Sequence, residues 1–509
     1  MGGNDDDNVS KSEPTSTNDT AKERLVQVQQ HLTSNTSARR QKKAKANLAP
    51  ADWSDVIAEF DNVRRLAQTP KTNTTGYKRH KEAGKLWVRE RVELLLDKGS
   101  FREVGSTAGT AVWRKANPNA TDPAEAEKDV IEDFTPSNNV QGFGNINGRK
   151  VMLTADDFTL RAGHADGALM MKTLYMEQLA LQLKIPMIKV VDGSSGGGSI
   201  TTYKEQNGSY IPELELLPYI CQQLDEGIPN CAAVVGPAVG LGAARAASCH
   251  FSVMSADIGS LFNAGPSIVA GATFEEDLSM EELGGVAIHC SNGVIDNWAP
   301  NEKGCYEQIA RFLSYMPNHG CTLPPITRSG DPADRKTPEL REAIPRRLQR
   351  AYQVRPIVQS FVDKDSFFEI GAGWGRTAVV GLARIDGYPV GIFADDPEVN
   401  AGALDSGGCQ KLSKHLKLCD VMGLPMIQLV DIPGFAIGTV AERSGVMKWA
   451  MELCKTYFST TIPIFSSIIR RCYGIGGVIL IDNRNPNFRV AWPSLNSGSI
   501  PLDGGIEGK

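Results

Sequence analysis

No stretch of about 18 consecutive apolar residues occurs in the 509-residue chain, so the sequence predicts no membrane-spanning helix. The ten cysteines include no C-x-x-C pair, which removes the usual zinc-ribbon and dithiol signatures. Several of them fall in apolar runs, where a free thiol behaves as a small hydrophobe, and a reducing compartment is the simpler reading. The seven histidines are dispersed, and no metal is expected. There is no G-x-G-x-x-G opening a helix and no G-x-x-x-x-G-K-[S/T], so Rossmann and P-loop chemistry is excluded. Neither sign of charge dominates: the formal net charge is −5, which gives no reason to expect a nucleic acid or an anionic membrane as partner. The N-terminus opens on Asp5, Asp6 and Asp7 without an apolar core, unlike a signal peptide, and its acidity disfavours a mitochondrial leader. A cytoplasmic location is expected, with mitochondria as the alternative. Residues 1–50 hold too few large apolar side chains to offset ordering entropy and read as a disordered tail. Its basic part (Arg39, Arg40, Lys42, Lys43, Lys45) reads as a solvated charge run.

What the chain does have is one stretch written twice. INGRKVMLTADDF and LKIPMIKVVDGSSGGGS, around 146–198, return as IDGYPVGIFADDP and MGLPMIQLVDIPGFAIG around 385–438. Gly148 and Gly387, Asp156 and Asp395, Asp166 and Asp405, Pro186 and Pro425, and Asp192 and Asp431 all keep one spacing of 239 residues (387 − 148). A period that long marks a duplicated domain. Each copy opens with a hairpin signal, Asn147-Gly148 or Asp386-Gly387, the dipeptides that satisfy a type I′ turn. A helix capped by Asp166 or Asp405 follows, then a buried strand, Ile188–Val191 or Ile427–Val430, that ends at an aspartate and a glycine-bearing turn. This order predicts an α/β fold with chemistry near the strand C-termini. The paired aspartates Asp156/Asp157 and Asp395/Asp396 are expected to serve turns and caps. Ahead of the first copy, Leu86, Val88, Val92, Leu95 and Leu96 predict an amphipathic helix that Gly99 ends. Residues 107–137, with Pro118, Pro123 and Pro136, read as a mobile linker or surface excursion.

The glycine-bearing turns are the candidate chemistry. Ser195, Gly196, Gly197 and Gly198 leave the first copy's strand; GPAVGLGAAR (236–245), with Gly240 and Gly242, follows its next strand; RRCYGIGG, with Gly474, Gly476 and Gly477, follows the corresponding strand of the second copy. The offset from Gly240 to Gly474 is 234, five less than in the rest of the repeat. Glycine lets backbone approach a ligand and present unhindered N–H groups, and a pair of such groups is an oxyanion hole. Tight packing turns are the plainer use of glycine, and two runs in duplicated units argue against it. Backbone donors without an obvious protein base point to enolate chemistry on a thioester, with the cosubstrate supplying the base.

The chain resembles the carboxyltransferase (beta) subunits of the biotin-dependent propionyl-, acetyl- and methylcrotonyl-CoA carboxylases. The resemblance is carried by KRHKEAGKLWVRERVELLLDKGSF (78–101), DGSSGGGSI (192–200), GPAVGLGAA (236–244), NAGPSIV…EELGG…H (263–289), NAGALD (400–405), LVDIPGFAIGT (429–439), RRCYGIGG (470–477) and RVAWPS (489–494). It implies two tandem crotonase-like domains of β-β-α superhelical build, 51–325 and 326–509, the second truncated because family members usually continue beyond it. It implies transfer of a carboxyl group from carboxybiotin, borne on a separate carrier protein, to the α-carbon of an acyl-CoA. The holes would be the N–H groups of Gly196 and Gly197 and those of Ile475 and Gly476; Gly198, Gly240, Gly242, Gly434, Phe435, Gly474 and Val478 would line the substrates. Relatives often carry Arg at the place of Ser199, and the apolar Val478 leans towards an acyl group other than acetyl. Biotin carboxylase and biotin carrier partners are implied, as is a homodimer building a hexamer, since the chain carries no ATP-grasp domain and no A-M-K-M site. A biotin-dependent decarboxylase and a catalytically silent scaffold subunit remain as alternatives.

Overall fold

A computed structural model of the chain describes residues 22, 24–30, 52–122, 126–164, 170–194, 204, 207, 215–481 and 488–500. The expected tail over 1–50 and the expected cap Asp166 fall almost wholly outside these residues. The chain divides into a small unit, 1–66 with 111–134, and a large unit, 67–110 with 135–509. The small unit holds most of helix α1 (Ser54–Gln68) and of an antiparallel ribbon, β2 (Gly109–Lys115) with β3 (Asp129–Pro136). The polar excursion thus contains paired strands, which its prolines had obscured.

In the large unit, the helix expected across 78–101 is two. α2 (Thr75–Glu82) stops at Gly84, whose φ of +75° suits glycine, and α3 (Val88–Leu95) starts afresh, the Glu90 carboxylate accepting the Trp87 N–H at 2.6 Å. Leu86 lies between them, and Gly99 (φ +74°) sits in the turn beyond α3.

The first copy builds an eight-stranded sheet from β1 (Arg102–Glu103), β4 (Asn139–Ile146), β5 (Arg149–Asp156), β6 (Met187–Gly193), β7 (Asn230–Val239), β8 (Phe251–Ser255) and β10 (Asn297–Ala299), with β9 (Ser260–Phe262) on β7. α4 (Met170–Leu183), α5 (Leu216–Asp225) and α6 (Leu241–Ala247) make the crossovers, and α7 (Glu302–Tyr315) packs on β7 and β8. The second copy repeats the plan in seven strands: β11 (Phe368–Ile370), β12 (Ala378–Ile385), β13 (Tyr388–Asp395), β14 (Met426–Ile432), β15 (Ile464–Tyr473) and β16 (Arg489–Ala491), with β17 (Asn496–Gly498) on β15. α8 (Val354–Phe361), α9 (Ser406–Val421), α10 (Val446–Ser459) and α11 (Gly474–Leu480) accompany it. In each sheet an antiparallel hook and hairpin lead into parallel strands buried on both faces, which is why those strands read as nearly continuous apolar runs. Asp405 caps α9 as expected, accepting the Gly408 N–H at 2.7 Å.

The duplication reaches further back than the hairpins. Asp97 accepts the N–H groups of Asn147 (2.9 Å) and Gly148 (2.7 Å), and Asp363 those of Asp386 (2.8 Å) and Gly387 (2.7 Å). All four turn residues have positive φ. Arg89 clasps Glu103 as Arg355 clasps Glu369. These pairs are 266 residues apart (355 − 89), so the first copy carries 27 extra residues (266 − 239) in the region of the β2–β3 ribbon. One apolar core runs under both sheets of the large unit, with Phe251 stacked on Phe312 at 4.9 Å and edge-on to Phe368 at 5.6 Å. Asn297 bridges the halves, donating to the Glu369 carbonyl (3.2 Å) and accepting from the Gly371 N–H (2.9 Å). All ten cysteines are free thiols, and among the described residues no helix is long and apolar enough to cross a membrane.

Candidate active site at the ends of the parallel strands

Each third strand of the repeat carries two surplus residues opposite an aspartate. Between β6 and β7 the register steps from Val191↔Val234 to Gly193↔Ala238; between β14 and β15 it steps from Val430↔Ile468 to Ile432↔Cys472. Such bulges bend a strand and re-aim the turn at its end. Beyond them the chain turns through Gly240 (φ +56°) into α6 and through Gly474 (φ +60°) into α11, a conformation that costs glycine little.

A buried carboxylate fills each bulge, by different means. Asp192 is held by Arg91 from α3 (2.6 Å), which also binds Glu302 of α7 (2.8 Å) and the Val235 carbonyl (2.8 Å). A Cβ on Gly236 would lie 1.9 Å from Asp192 Oδ1. At the corresponding place in the second copy stands Arg470, which reaches Asp431 itself (Nη2 2.9 Å), while the counterpart of Arg91 is Ile357. Arg471 adds Nε at 2.7 Å, Nη2 at 3.1 Å and its own N–H at 2.9 Å, and Tyr352 donates its hydroxyl at 2.8 Å. Burial opposes the charge of Asp431, but Arg471 and Arg470 outweigh it and hold this carboxyl below the usual carboxylate range.

The doubled aspartates divide their work. Asp157 and Asp396 serve turns as expected, accepting the N–H of Thr159 (2.9 Å) and of Glu398 (3.1 Å). Asp156 instead pairs with the buried Arg245 at 3.1 Å. Asp395 makes no ion pair among the described residues; burial, opposed by the Asp431 N–H it accepts at 2.9 Å and reinforced by the Asp431 charge, pushes its carboxyl well above the usual carboxylate range. Arg91, Arg245, Arg470 and Arg471 escaped the sequence reading. Their signal was there: an arginine set inside runs such as AARAAS and SSIIRRCY has no reason to be buried unless it is paired.

The structure gathers Gly434, Phe435, Gly474, Ile475 and Gly476 at the ends of β14 and β15. Ile475 and Gly476 occupy the first turn of α11, where a helix leaves its N–H groups without intrahelical acceptors. A Cβ on Gly476 would lie 3.5 Å from the Gly434 backbone, whereas one on Gly434 (φ +129°) would meet nothing within 4 Å. Among the described residues, open space therefore faces Gly434 beside Gly476. Phe435 bridges Leu404, and the Ala436 N–H bonds the Leu404 carbonyl at 2.8 Å, which stitches this loop to the NAGALD turn. Ile475 (60% exposed), Val478 (52%), Ile437 (91%) and Val440 (82%) give this end of the sheet an apolar exposed rim. Gly240 and Gly242 line the equivalent turn of the first sheet, but there the Gly242 N–H is already bonded to the Ser194 carbonyl at 2.8 Å. Gly196, Gly197 and Gly198 lie outside the described residues, after β6 rather than β7, so the two candidate holes do not occupy equivalent strands.

A family model described as "Carboxyl transferase domain" matches residues 79–503. The mitochondrial propionyl-CoA carboxylase beta chain of Sus scrofa is 32% identical over 83% of this chain and 76% of its own length. That of Homo sapiens is 31% identical over 89% and 81%. The carboxyltransferase subunit of propionyl-CoA carboxylase from Haloferax mediterranei is 29% identical over 84% and 79%. Among solved structures, the transcarboxylase 12S hexamer with methylmalonyl-coenzyme A bound superposes with a TM-score of 0.75 at 24% identity, over 89% of this chain and 85% of that one. A single-chain long-chain acyl-CoA carboxylase gives 0.72 at 24% identity, over 90% and 44%. These likenesses bear out the α/β architecture of two tandem crotonase-like domains.

Proposed function

Because the chain belongs to the carboxyl transferase domain family, we propose that it moves a carboxyl group from carboxybiotin to the α-carbon of an acyl-CoA. The observation that supports the reading is the Gly474 turn into α11, which sets Gly476 beside Gly434, whose missing Cβ leaves open space among the described residues; the N–H groups of Ile475 and Gly476 would face it. Such a cradle fits a planar carbonyl or ureido oxygen brought close to backbone. Bound carboxybiotin supplies the CO2 and, through its ring nitrogen, the base. The chain's own part is electrostatic: Ile475 and Gly476 donate to an oxygen as it gains negative charge, and the Asp431 clamp holds the strand that aims them. Gly196 and Gly197 would form the partner hole for the other substrate. Val478, on the exposed rim, would face the acyl group and favour one larger than acetyl.

The domains would run over 51–325 and 326–509 behind a tail of 1–50, with the site completed across a homodimer that builds a hexamer. A separate biotin carboxylase and a biotinylated carrier would charge it, in the cytoplasm. The test is the reverse reaction: purified chain, free biotin, and malonyl-CoA or methylmalonyl-CoA in turn. Carboxylation of biotin by one of them is expected and names the acyl group. A folded oligomer that turns over neither refutes the proposal.

A further inference from the structure

Beside the Asp431 clamp the protein has a second concavity, to which the carboxyl-transfer reading assigns no role. A cavity of about 390 Å³ lies between Arg350 and Ala351 on one side and Pro433, Arg471 and Tyr473 on the other. It shares Leu348 and Arg470 with a neighbouring groove of about 840 Å³ lined by Arg341, Ile344, Arg346 and Trp492. Among the described residues no aspartate or glutamate lines either one, in a chain whose net charge is −5.

Positive charge is in surplus here. Two guanidiniums, Arg470 and Arg471, share the single carboxylate of Asp431. Among the described residues no hydrogen bond reaches Nη1 of Arg471, and the exposed side chains of Arg341, Arg346 and Arg350 make no ion pair. The first copy shows the contrast: there Arg91 is matched by both Asp192 and Glu302, and Arg245 by Asp156. The cationic wall is also rigid, because Arg470 Nη1 bonds the Arg350 carbonyl at 2.8 Å and the Trp492 indole N–H is held by Ser467 Oγ at 3.1 Å.

We propose that this paired cavity is a binding site for an organic phosphate of the nucleotide class, its phosphates against Arg350, Arg346 and Arg471 and its base on the Trp492 face of the groove. The chemistry decides the class. The guanidiniums of Arg346 and Arg350, which pair with no carboxylate among the described residues, take phosphate oxygens through forked hydrogen bonds, Arg471 adds the Nη1 that its fork onto Asp431 leaves over, and an indole beside apolar walls takes a flat ring. The joined volume suits a ligand of that size. The site goes beyond the carboxyl-transfer reading but adjoins the turn that carries Ile475 and Gly476, through Tyr473, Pro433 and the Arg471 it shares with the clamp, so its occupant would bear on that turn.

The test is calorimetry on the full chain with ADP, inorganic pyrophosphate and adenosine as separate probes, with no acyl-CoA or biotin present. ADP is expected to bind saturably, pyrophosphate more weakly and adenosine hardly at all, with affinity falling as salt rises. The exposed double variant Arg346→Glu/Arg350→Glu should weaken ADP at least tenfold, given the worth of charge-assisted hydrogen bonds, and keep its turnover without nucleotide. No ADP binding, or ADP binding that the double variant leaves unchanged, overturns the site; ADP held no more tightly than pyrophosphate overturns the nucleotide class. Failure of the carboxyl-transfer reading would appear in turnover alone and leave these titrations untouched.

Discussion

Replacing Gly236 by alanine puts a methyl carbon 1.9 Å from Oδ1 and 2.3 Å from Cγ of Asp192, closer than non-bonded atoms come, so the carboxylate must move. It has nowhere to go without leaving Arg91, to which it is bonded at 2.6 Å with both side chains out of solvent. Breaking a buried ion pair typically costs about 3–5 kcal/mol, a large part of the roughly 5–15 kcal/mol that holds a domain together. The urea midpoint of Gly236→Ala, followed by fluorescence and circular dichroism, should fall accordingly. Gly271→Ala, inside the helix Pro266–Thr273, is the control, since its added Cβ meets nothing within 4 Å, and it should gain roughly 0.5–1 kcal/mol from helix propensity. The second copy supplies a sharper check, because it places Arg470 where the first has Gly236, and Ile357 where the first has Arg91. The double variant Gly236→Arg/Arg91→Ile should therefore be more stable than the sum of its single variants predicts, by about 1–3 kcal/mol of coupling. A Gly236→Ala protein within about 1 kcal/mol of the parent, or a double variant that is merely additive, would refute the account of the bulge.

Gly476→Ala brings a Cβ to 2.8 Å from Ile432 Cδ1 and tilts the first turn of α11; displacing one donor should lower kcat by roughly 10²–10³ with little change in KM, and an unchanged kcat would remove Gly476 from the site. Burial pulls His250 and His415 down to about 4, so both are neutral when folded, and His250 Nδ1 accepts the Asn230 N–H at 3.1 Å. The unfolded chain takes up protons between its ordinary histidine pKa of about 6.5 and 4 that the folded chain refuses, so stability present above pH ~6.5 should fall on acidification, by up to ~1.4 kcal/mol per pH unit for each histidine. Urea midpoints measured across that range, with His250→Gln showing a shallower fall, check this; a flat profile would contradict it. Asp363→Ala leaves the N–H groups of Asp386 and Gly387 without their acceptor and should cost about 1–3 kcal/mol, read as a lowered thermal midpoint against the exposed neighbour Lys364→Ala, which leaves both of those bonds in place.

The duplicated core was legible because its turns demand particular residues: Asn147-Gly148 and Asp386-Gly387 at positive φ leave few substitutes, so the 239-residue spacing survived. The earlier part of the repeat was harder to see. Its marker is short, Asp97-Lys98-x-Ser100-Phe101 against Asp363-Lys364-x-Ser366-Phe367, and the insertion in the first copy shifts its spacing to 266. The α2–α3 break was hidden because Leu86 continues a helical spacing across Gly84, and only the Trp87–Glu90 cap shows the restart. The glycine turns of the site could be named from sequence; the ion pairs that aim them could not, since Arg91 and Asp192 stand 101 residues apart and Arg91 and Glu302 stand 211 apart. No local pattern joins such partners.

The two clamps differ in when they can close. Asp431 finds Arg470 and Arg471 within 40 residues and Tyr352 already behind it, so its ionic knot can tie as soon as β15 leaves the ribosome. Arg91 draws in Asp192 early but must wait for Glu302 before its own charge is shared, and at a synthesis rate of about 5–20 residues per second that is a delay of many seconds. Over that interval the first half of the nascent chain holds an arginine short of one of its two carboxylates, and a chaperone or protease meeting it then would find its strand ends unsettled after the sheet itself had paired.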